Sequence, residues 1–416
     1  MGNILIIGGG VIGVCTAYFL AERGQQVTLI EQGDIAAGSS YGNAGLIVPS
    51  HSIPLAHPGA LSSGLKWMLD PESPFYIKPR LNRDLISWLL KFAANCNART
   101  VQRAIPTLCD LGCASLALYA QIIAANRLDC GFERKGLLML ADTPRGLEAG
   151  REEAHLLEAH GITAKALDRA GVRELEPNVR PEIVGGVYFP GDAHFTPDRF
   201  VRGLAQIVEQ KGVCLRTQTA VQGLETAGCR IAKVRTTQGE FRADQVVLAA
   251  GSWSPGLARA LRLNLPIQPA KGYSITVKRP ATAPTRPLIL SEARVAVTPM
   301  VSDTGPTLRF AGTLEIAGLD FSLNQRRVNA IRRAASRYLP GMENLETLEV
   351  WGGLRPCTPD GLPLLGRPPQ YENLIIAAGH AMIGMSLGPI TGKLVAQIAC
   401  GETPELDLTS LRPERF

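Results

Sequence analysis

A two-domain α/β fold with a Rossmann-like βαβ unit at its N-terminus is predicted by three observations. The apolar run Ile4–Ile7 enters the glycine-rich turn Gly8-Gly9-Gly10-Val11-Ile12-Gly13; a helical segment, Val14–Arg23, follows and stops at Gly24; a second apolar run, Val27–Ile30, ends on Glu31. Short apolar runs bounded by turn signals read as buried strands, and the spacing strand, glycine turn, helix, strand is that of a parallel crossover. A chain of 416 residues is long enough for two domains at roughly 150 residues each.

Each element has a physical reason. Gly8 permits the tight turn, Gly10 lets a pyrophosphate approach backbone amides at the positive end of the helix, and Gly13 lets helix pack closely on strand. Glu31 stands 18 residues past Gly13, where a carboxylate accepts the ribose hydroxyls of an adenosine and repels a 2′-phosphate. NADP is thereby disfavoured, and NAD and FAD remain.

Composition bounds the rest. Hydrophobic residues at 45%, charged residues at 19%, 43 Gly and 29 Pro exclude disordered, collagen-like and disulfide-scaffold classes. A net charge of +6 implies no nucleic-acid partner unless it is gathered on one face. Nine Cys without a Cys-x-x-Cys pair point to reduced thiols of a cytosolic-type compartment, not a disulfide framework or zinc site. Cys109 and Cys113, four apart, are expected on one helix. No metal is expected, because no His, Cys or carboxylate grouping has ligand spacing. Met-Gly-Asn runs directly into the first strand and no apolar stretch reaches 18 residues, so neither a signal peptide nor a spanning helix is expected, and the location expected is cytoplasmic.

Further segments carry nucleotide chemistry. Gly38-Ser39-Ser40-Tyr41-Gly42-Asn43-Ala44-Gly45 is either an ordinary turn cluster or a set of hydroxyl and amide donors for phosphates and a ribityl chain. Gln245–Leu248 reads as a strand ending in Ala249-Ala250-Gly251-Ser252-Trp253, small residues suited to passing beneath a nucleotide. Gly379–Gly388 leads into a helix with Pro389 at its start, Ile390, Leu394, Val395 and Ile398 on one stripe, and Gly401 at its end; its N-terminal half-charge is able to stabilise an anionic ring, although a well-capped core helix has the same pattern.

Taken with Trp351-Gly352-Gly353-Leu354-Arg355-Pro356-Cys357-Thr358-Pro359-Asp360-Gly361-Leu362-Pro363, these motifs resemble the FAD-dependent D-amino-acid oxidase superfamily across essentially the whole chain. They are most similar to its D-amino-acid dehydrogenase branch, with glycine-oxidase-like motifs near the C-terminus. The resemblance implies FAD as cofactor, held at Gly8, Gly10, Val11, Ile12, Gly13, Glu31, Gln32, Ser39, Ser40, Asn43, Ala44, Gly45, Leu46, Val221, Ala250, Gly251, Trp253, Gly353, Gly379, Ile383, Gly384, Met385 and Ser386. It implies a discontinuous FAD-binding domain (1–50, 145–265 and 351–416) interleaved with a substrate domain (51–144 and 266–350) built on a mostly antiparallel sheet with helices.

The implied reaction is oxidative deamination of a D-amino acid or D-imino acid, of the proline or hydroxyproline type among others, by hydride transfer from Cα to flavin N5. Orientation by a charge clamp is the largest demand on the protein, and Arg suits it because its planar fork meets both carboxylate oxygens. Arg355 matches the family's carboxylate-binding arginine, unless it pairs with Asp360. Tyr273 is placed either to put its hydroxyl on the substrate or to pack in a sheet, and His380 either to move a proton or to serve through its backbone. His51 and His57 either line the entrance, with His51 on the substrate side, or are ordinary surface-loop histidines. The implied electron acceptor is a quinone or other non-oxygen carrier. A glycine- or sarcosine-type oxidase using oxygen, and a flavin-carrying subunit of a larger complex, stay open. Lys78, Arg80, Arg83, Lys91, Arg99 and Arg103 face Asp84 alone among residues interleaved with Trp88, Leu89, Leu90 and Phe92. This stretch and residues 61–69 are candidates for contact with a partner subunit or the inner face of the cell membrane, or else form a solvated cap helix.

Overall fold

The computed structural model describes residues 2–61, 64, 67, 70 and 72–416. Its first layer is a six-stranded sheet in the order Leu364–Gly366, Leu374–Ala378, Gln245–Leu248, Asn3–Ile7, Gln26–Ile30, Cys214–Arg216. All neighbours are parallel except the first pair. Such strands are buried on both faces, which is why Ile4–Ile7 and Val27–Ile30 read as apolar runs and not as alternation. Helix Val11–Ala21 buries ten of its eleven residues, since it lies between the sheet and the helices Pro197–Gln210 and Gly388–Ala399. An all-round apolar sequence is the expected signature of that position. A three-stranded antiparallel meander, Val221–Ala227, Arg230–Thr236 and Gly239–Phe241, adjoins it.

The second sheet runs Thr347–Cys357, Gln268–Lys278, Gly305–Ile316, Val295–Ser302, Leu288–Leu290, Leu137–Ala141, Gly185–Phe189, Lys165–Asp168, with Phe75–Ile77 added beside Gly305–Ile316. It is antiparallel apart from the contacts of Leu288–Leu290 with Leu137–Ala141 and of Phe75–Ile77 with its neighbour. One face is sealed by helix Gln325–Tyr338, whose Val328, Ile331, Ala335 and Tyr338 pack with Ile275, Leu308 and Phe310. The opposite face, carrying Met139, Ile289, Ala296 and Ala311, looks toward the first sheet. The alternation along these strands divides the two faces.

Sheet membership cuts across the expected segments. Lys165–Asp168 and Gly185–Phe189, from the segment 145–265, join the second sheet, as does the strand Thr347–Cys357. Helix Ala98–Asn126, from the segment 51–144, buries Leu108, Leu111, Tyr119 and Ile122 in the core that holds Val11, Cys15 and Ile390. That helix is also long and apolar enough to cross a bilayer, although no such stretch was expected from the sequence; here half of its apolar segment is buried inside the protein. It begins earlier than its apolar stripe suggests because Asn97 caps it, accepting from Thr100 N–H at 3.0 Å. Cys109 and Cys113 lie on it, the first buried and the second exposed.

Within the basic stretch, Arg83–Asn95 forms a helix capped by Asn82, with Leu85, Trp88 and Phe92 buried and Ile86 and Leu90 exposed, while Arg99 and Arg103 lie on helix Ala98–Asn126. Lys78 faces Asp320 at 3.7 Å and Arg103 faces Asp360 at 3.8 Å. Of residues 61–69, only Leu61, Gly64 and Trp67 lie within the described residues.

Candidate active site

Between the two sheets lies a cavity of about 1930 Å³, larger than the ~300–1,000 Å³ of pockets for drug-sized ligands. At one end it is walled by the glycine turn. Gly8 has φ of +119°, and a Cβ there would stand 2.4 Å from the Ala249 carbonyl oxygen. A Cβ on Gly13 would stand 1.9 Å from the Gly8 carbonyl oxygen. The helix that follows has glycine, with no side chain to cap it, at its N-cap and no acidic residue in its first turn; Val11 N–H donates to Ser40 Oγ at 3.0 Å, and Gly10, Val11 and Ile12 line the cavity. Glu31 lines the cavity, its carboxylate accepting from Gly9 N–H at 2.6 Å and Gly33 N–H at 3.0 Å. Those two bonds fix its orientation and leave further lone pairs for a ribose.

The middle is built by three chain segments stitched together. Arg309, buried, donates to the carbonyls of Tyr41 at 3.1 Å and Asn43 at 3.0 Å, while Asn43 Oδ1 accepts from Gly45 N–H. Trp351 packs on Gly42, where a Cβ would come within 2.1 Å of the indole. Ser39 Oγ and Ser252 Oγ both donate to the Leu354 carbonyl, at 2.5 and 3.0 Å. On the far wall, Ser386 Oγ donates to the Leu46 carbonyl and the Tyr119 hydroxyl to the Met385 carbonyl. Helix Gly388–Ala399 starts just behind that wall, again without a capping side chain or an acidic first turn.

Of the expected cofactor residues, all line the cavity except Gly13, Gly45 and Gly379. These three stand behind the wall and shape it. Gly45 (φ +69°) and Gly379 (φ +81°) sit where a Cβ would meet Phe195 O at 2.2 Å and Thr358 Cγ2 at 2.6 Å.

Arg355 lines the cavity at the other end. Its Nη1 donates to the Thr313 carbonyl at 2.8 Å, and no carboxylate among the described residues stands within ion-pair distance. Asp360, its possible partner, is taken by Arg415 at 2.8 Å. Burial pulls the Arg355 guanidinium below its usual value. Its path crosses Gly272, where a Cβ would lie 1.8 Å from Nη1, so glycine at 272 is what lets the arginine lie across the strand. Thr313 holds φ of +68°, an uncommon conformation for a β-branched residue, at the carbonyl that anchors Arg355.

Two expectations are corrected here. Tyr273 lines the cavity, but its hydroxyl donates to Glu315 at 2.9 Å and is buried; burial and that carboxylate hold it well above the usual phenol range. It is a wall, with no hydroxyl free for substrate. His380 also lines the cavity, but its Nε2 is shared with Thr391 Oγ1 at 3.1 Å and burial pulls its pKa down to about 3. A neutral, engaged imidazole is a poor proton carrier at neutral pH. His51 lines the cavity as expected, held down to about 4 by burial and then by Arg294, and His57 lines it as well. Arg309 and Gly272 were not visible as site residues in the sequence, since cross-sheet contact alone reveals them.

The profile of the FAD-dependent oxidoreductase (DAO) family matches residues 3–398. The chain belongs to that family. A D-amino acid dehydrogenase of Granulibacter bethesdensis is 32% identical to this oxidoreductase over 422 residues, covering 100% of the chain and 99% of the relative. A D-amino acid dehydrogenase of Methylobacterium radiotolerans is 34% identical over 421 residues, with the same coverage. Among solved structures, the fold is shared with glycine oxidase from Geobacillus kaustophilus (TM-score 0.79, 24% identity, covering 100% of both chains). It is also shared with L-proline dehydrogenase from P. horikoshii (TM-score 0.78, 20% identity, covering 100% of this chain and 97% of that one).

FAD is the cofactor of this family, and the residues present fit it. The open N-terminus of helix Val11–Ala21 suits the pyrophosphate, Glu31 the ribose. Gly251, at φ +52°, has nothing within 4 Å of where its Cβ would stand, leaving room for the cofactor to pass.

Three desolvated histidines of this oxidoreductase, His194 and His380 buried and His51 half-buried, set a pH dependence. His51, His194 and His380 have folded pKa values of about 4, 4 and 3, all lowered first by burial. Between about pH 6.5 and 4 they take protons in the unfolded chain only, so their contribution is present above pH 6.5 and is lost on acidification, about 1.4 kcal/mol per pH unit for each proton. Asp192, pushed up by burial to about 7, holds its proton in the folded state and opposes this, and Glu153, raised by burial, acts in the same direction. Three imidazoles outweigh two carboxyls. Urea melts are expected to show a lower midpoint at pH 5 than at pH 7; an equal or higher midpoint would contradict the burial of these rings.

Proposed function

We propose that the protein is an FAD-dependent D-amino acid dehydrogenase that passes electrons to a quinone or another non-oxygen acceptor. The observation that carries the reading is Arg355, a guanidinium that lines the cavity with one nitrogen anchored on a backbone carbonyl and, among the described residues, no acidic partner. An unpaired, partly desolvated cation of this kind is a binding site for a carboxylate, which it meets through two parallel N–H bonds. The names of the full-length relatives support the choice of amino acid and of its hand.

FAD, when bound, supplies the two-electron acceptor. The work of the chain is then orientation. Arg355 holds the carboxylate, the Tyr273 ring and the sheet face close the pocket, and the alignment of the Cα–H bond follows from that clamp. Neither Tyr273 nor His380 is disposed to take the amine proton, one being committed to Glu315 and the other to Thr391. The amine therefore reacts as the free base.

An anaerobic absorbance titration of the holoprotein with D-alanine, D-proline, glycine and the L-forms tests the reading, followed by admission of air. Bleaching of the oxidised flavin band by D-forms, with slow reoxidation in air, is the expected result. Fast reoxidation with peroxide would make the protein an oxidase. Absence of bleaching by every compound would overturn amine oxidation and leave a flavin-carrying subunit.

A further inference from the structure

The cavity does not end at Arg355. It continues along the sheet into a lobe floored by Met139, Ile289 and Ala296 and edged by Arg294, Glu153 and His51. The chain brings these three together by register and by helix packing. Arg294 ends the turn before strand Val295–Ser302, in the left-handed conformation at φ +53°. In that strand Ala296 pairs with Ala311, two residues before Thr313, the residue whose carbonyl holds Arg355. Arg294 thus stands one strand over from the anchor of the carboxylate clamp. Glu153 comes from helix Pro144–Glu158, which packs Ala154 and Leu157 onto the same floor. Arg294 acts electrostatically on both Glu153 and His51, so the three share one neighbourhood.

Among the described residues, the side chains of Arg294, Glu153 and His51 make no hydrogen bond and no ion pair. Arg294 is exposed and Glu153 and His51 are half-buried where they line the cavity, beside the exposed Glu152, so water solvates them until a ligand enters; displacing that water is costly unless the ligand satisfies them. An apolar side chain would dry them without compensation. An ammonium would meet Arg294, and a carboxylate would meet Glu153. A neutral group with both a donor and an acceptor satisfies each of them.

We propose that Arg294, Glu153 and His51 form a recognition site for the far end of the substrate's side chain, selecting a hydroxyl or carboxamide that both donates and accepts hydrogen bonds. The proposal rests on the reading of Arg355 as the amino-acid carboxylate clamp. It makes these residues determinants of specificity, with no part in the oxidation itself.

Matched pairs of equal shape test it: D-homoserine against D-norvaline, and D-glutamine against D-homoleucine, by the rate and concentration dependence of anaerobic flavin reduction in the holoenzyme. The polar member of at least one pair is expected to exceed its apolar partner in kcat/KM by about tenfold or more. In Arg294→Met and in Glu153→Leu that ratio is expected to fall toward unity, with the flavin band and the melting temperature showing that each variant is folded. Ratios near one in both wild-type pairs, ratios that survive in both variants, or a preference for D-glutamate or D-lysine over D-glutamine would each overturn the proposal. Those outcomes leave the dehydrogenase reading standing. Failure of every D-amino acid to reduce the flavin would overturn both.

Discussion

Arg355→Met is expected to lower kcat/KM for the amino-acid substrate by about 30- to 5000-fold, the range for truncating one partner of a buried, hydrogen-bonded charge pair. FAD is expected to stay bound, because the cofactor walls at Gly8–Ile12, Ser39–Asn43 and Ile383–Ser386 do not depend on this side chain for a hydrogen bond. Methionine keeps much of the volume and removes the charge, so the loss reads electrostatics and not a hole. Anaerobic flavin reduction by a D-amino acid, fitted for rate and affinity, is the measurement. A variant reduced as fast and at the same concentrations as the wild type would show that Arg355 is structural.

Gly13→Ala is the second large effect, and it acts on a different link of the chain of cause. A methyl there would meet the Gly8 carbonyl oxygen at 1.9 Å, and backbone cannot rotate aside as a side chain can. The helix must lift from the strand or the glycine turn must open. Either movement costs ~3 kcal/mol or more, the upper range for overpacking, and tilts the helix N-terminus away from the pyrophosphate. The variant is expected to purify with little or no flavin and to melt at lower temperature. Full flavin content with an unchanged melt would refute the packing role assigned to this position.

What the sequence disclosed was the local and the repetitive. The strand, glycine turn and helix at residues 3–21, the strand at 245–248 and the C-terminal helix after Pro389 are each specified by neighbours within a few residues, and each stands within about three residues of where its pattern placed it. The cavity walls followed, since most are the loops after those strands. The commitments of individual side chains did not. Tyr273 gives its hydroxyl to a residue 42 positions away, and only the pairing of two strands makes them neighbours. His380 and Thr391 meet because a turn folds back on a helix. Arg294 and Glu153 carry no motif at all; sheet register and one helix face bring them together. Gly13, Gly45 and Gly379 were legible as glycines that matter, but whether a glycine touches a ligand or stands behind the wall depends on which way its missing Cβ points. That direction is a tertiary property.

One carbonyl has a wider consequence. Leu354 O receives the hydroxyls of Ser39 and Ser252, which belong to two walls of the cofactor cleft, and the next residue along is Arg355, the proposed carboxylate clamp. Order in the cleft is therefore transmitted to Arg355 across a single peptide unit, with no hinge between. In thermodynamic language the two ligands are coupled: whatever freezes Ser39 and Ser252 in place lowers the entropy still to be lost when a carboxylate docks. By reciprocity a docked carboxylate tightens the grip on the cofactor by the same factor. A protein joined in this way is expected to bind its flavin more tightly when its substrate site is full.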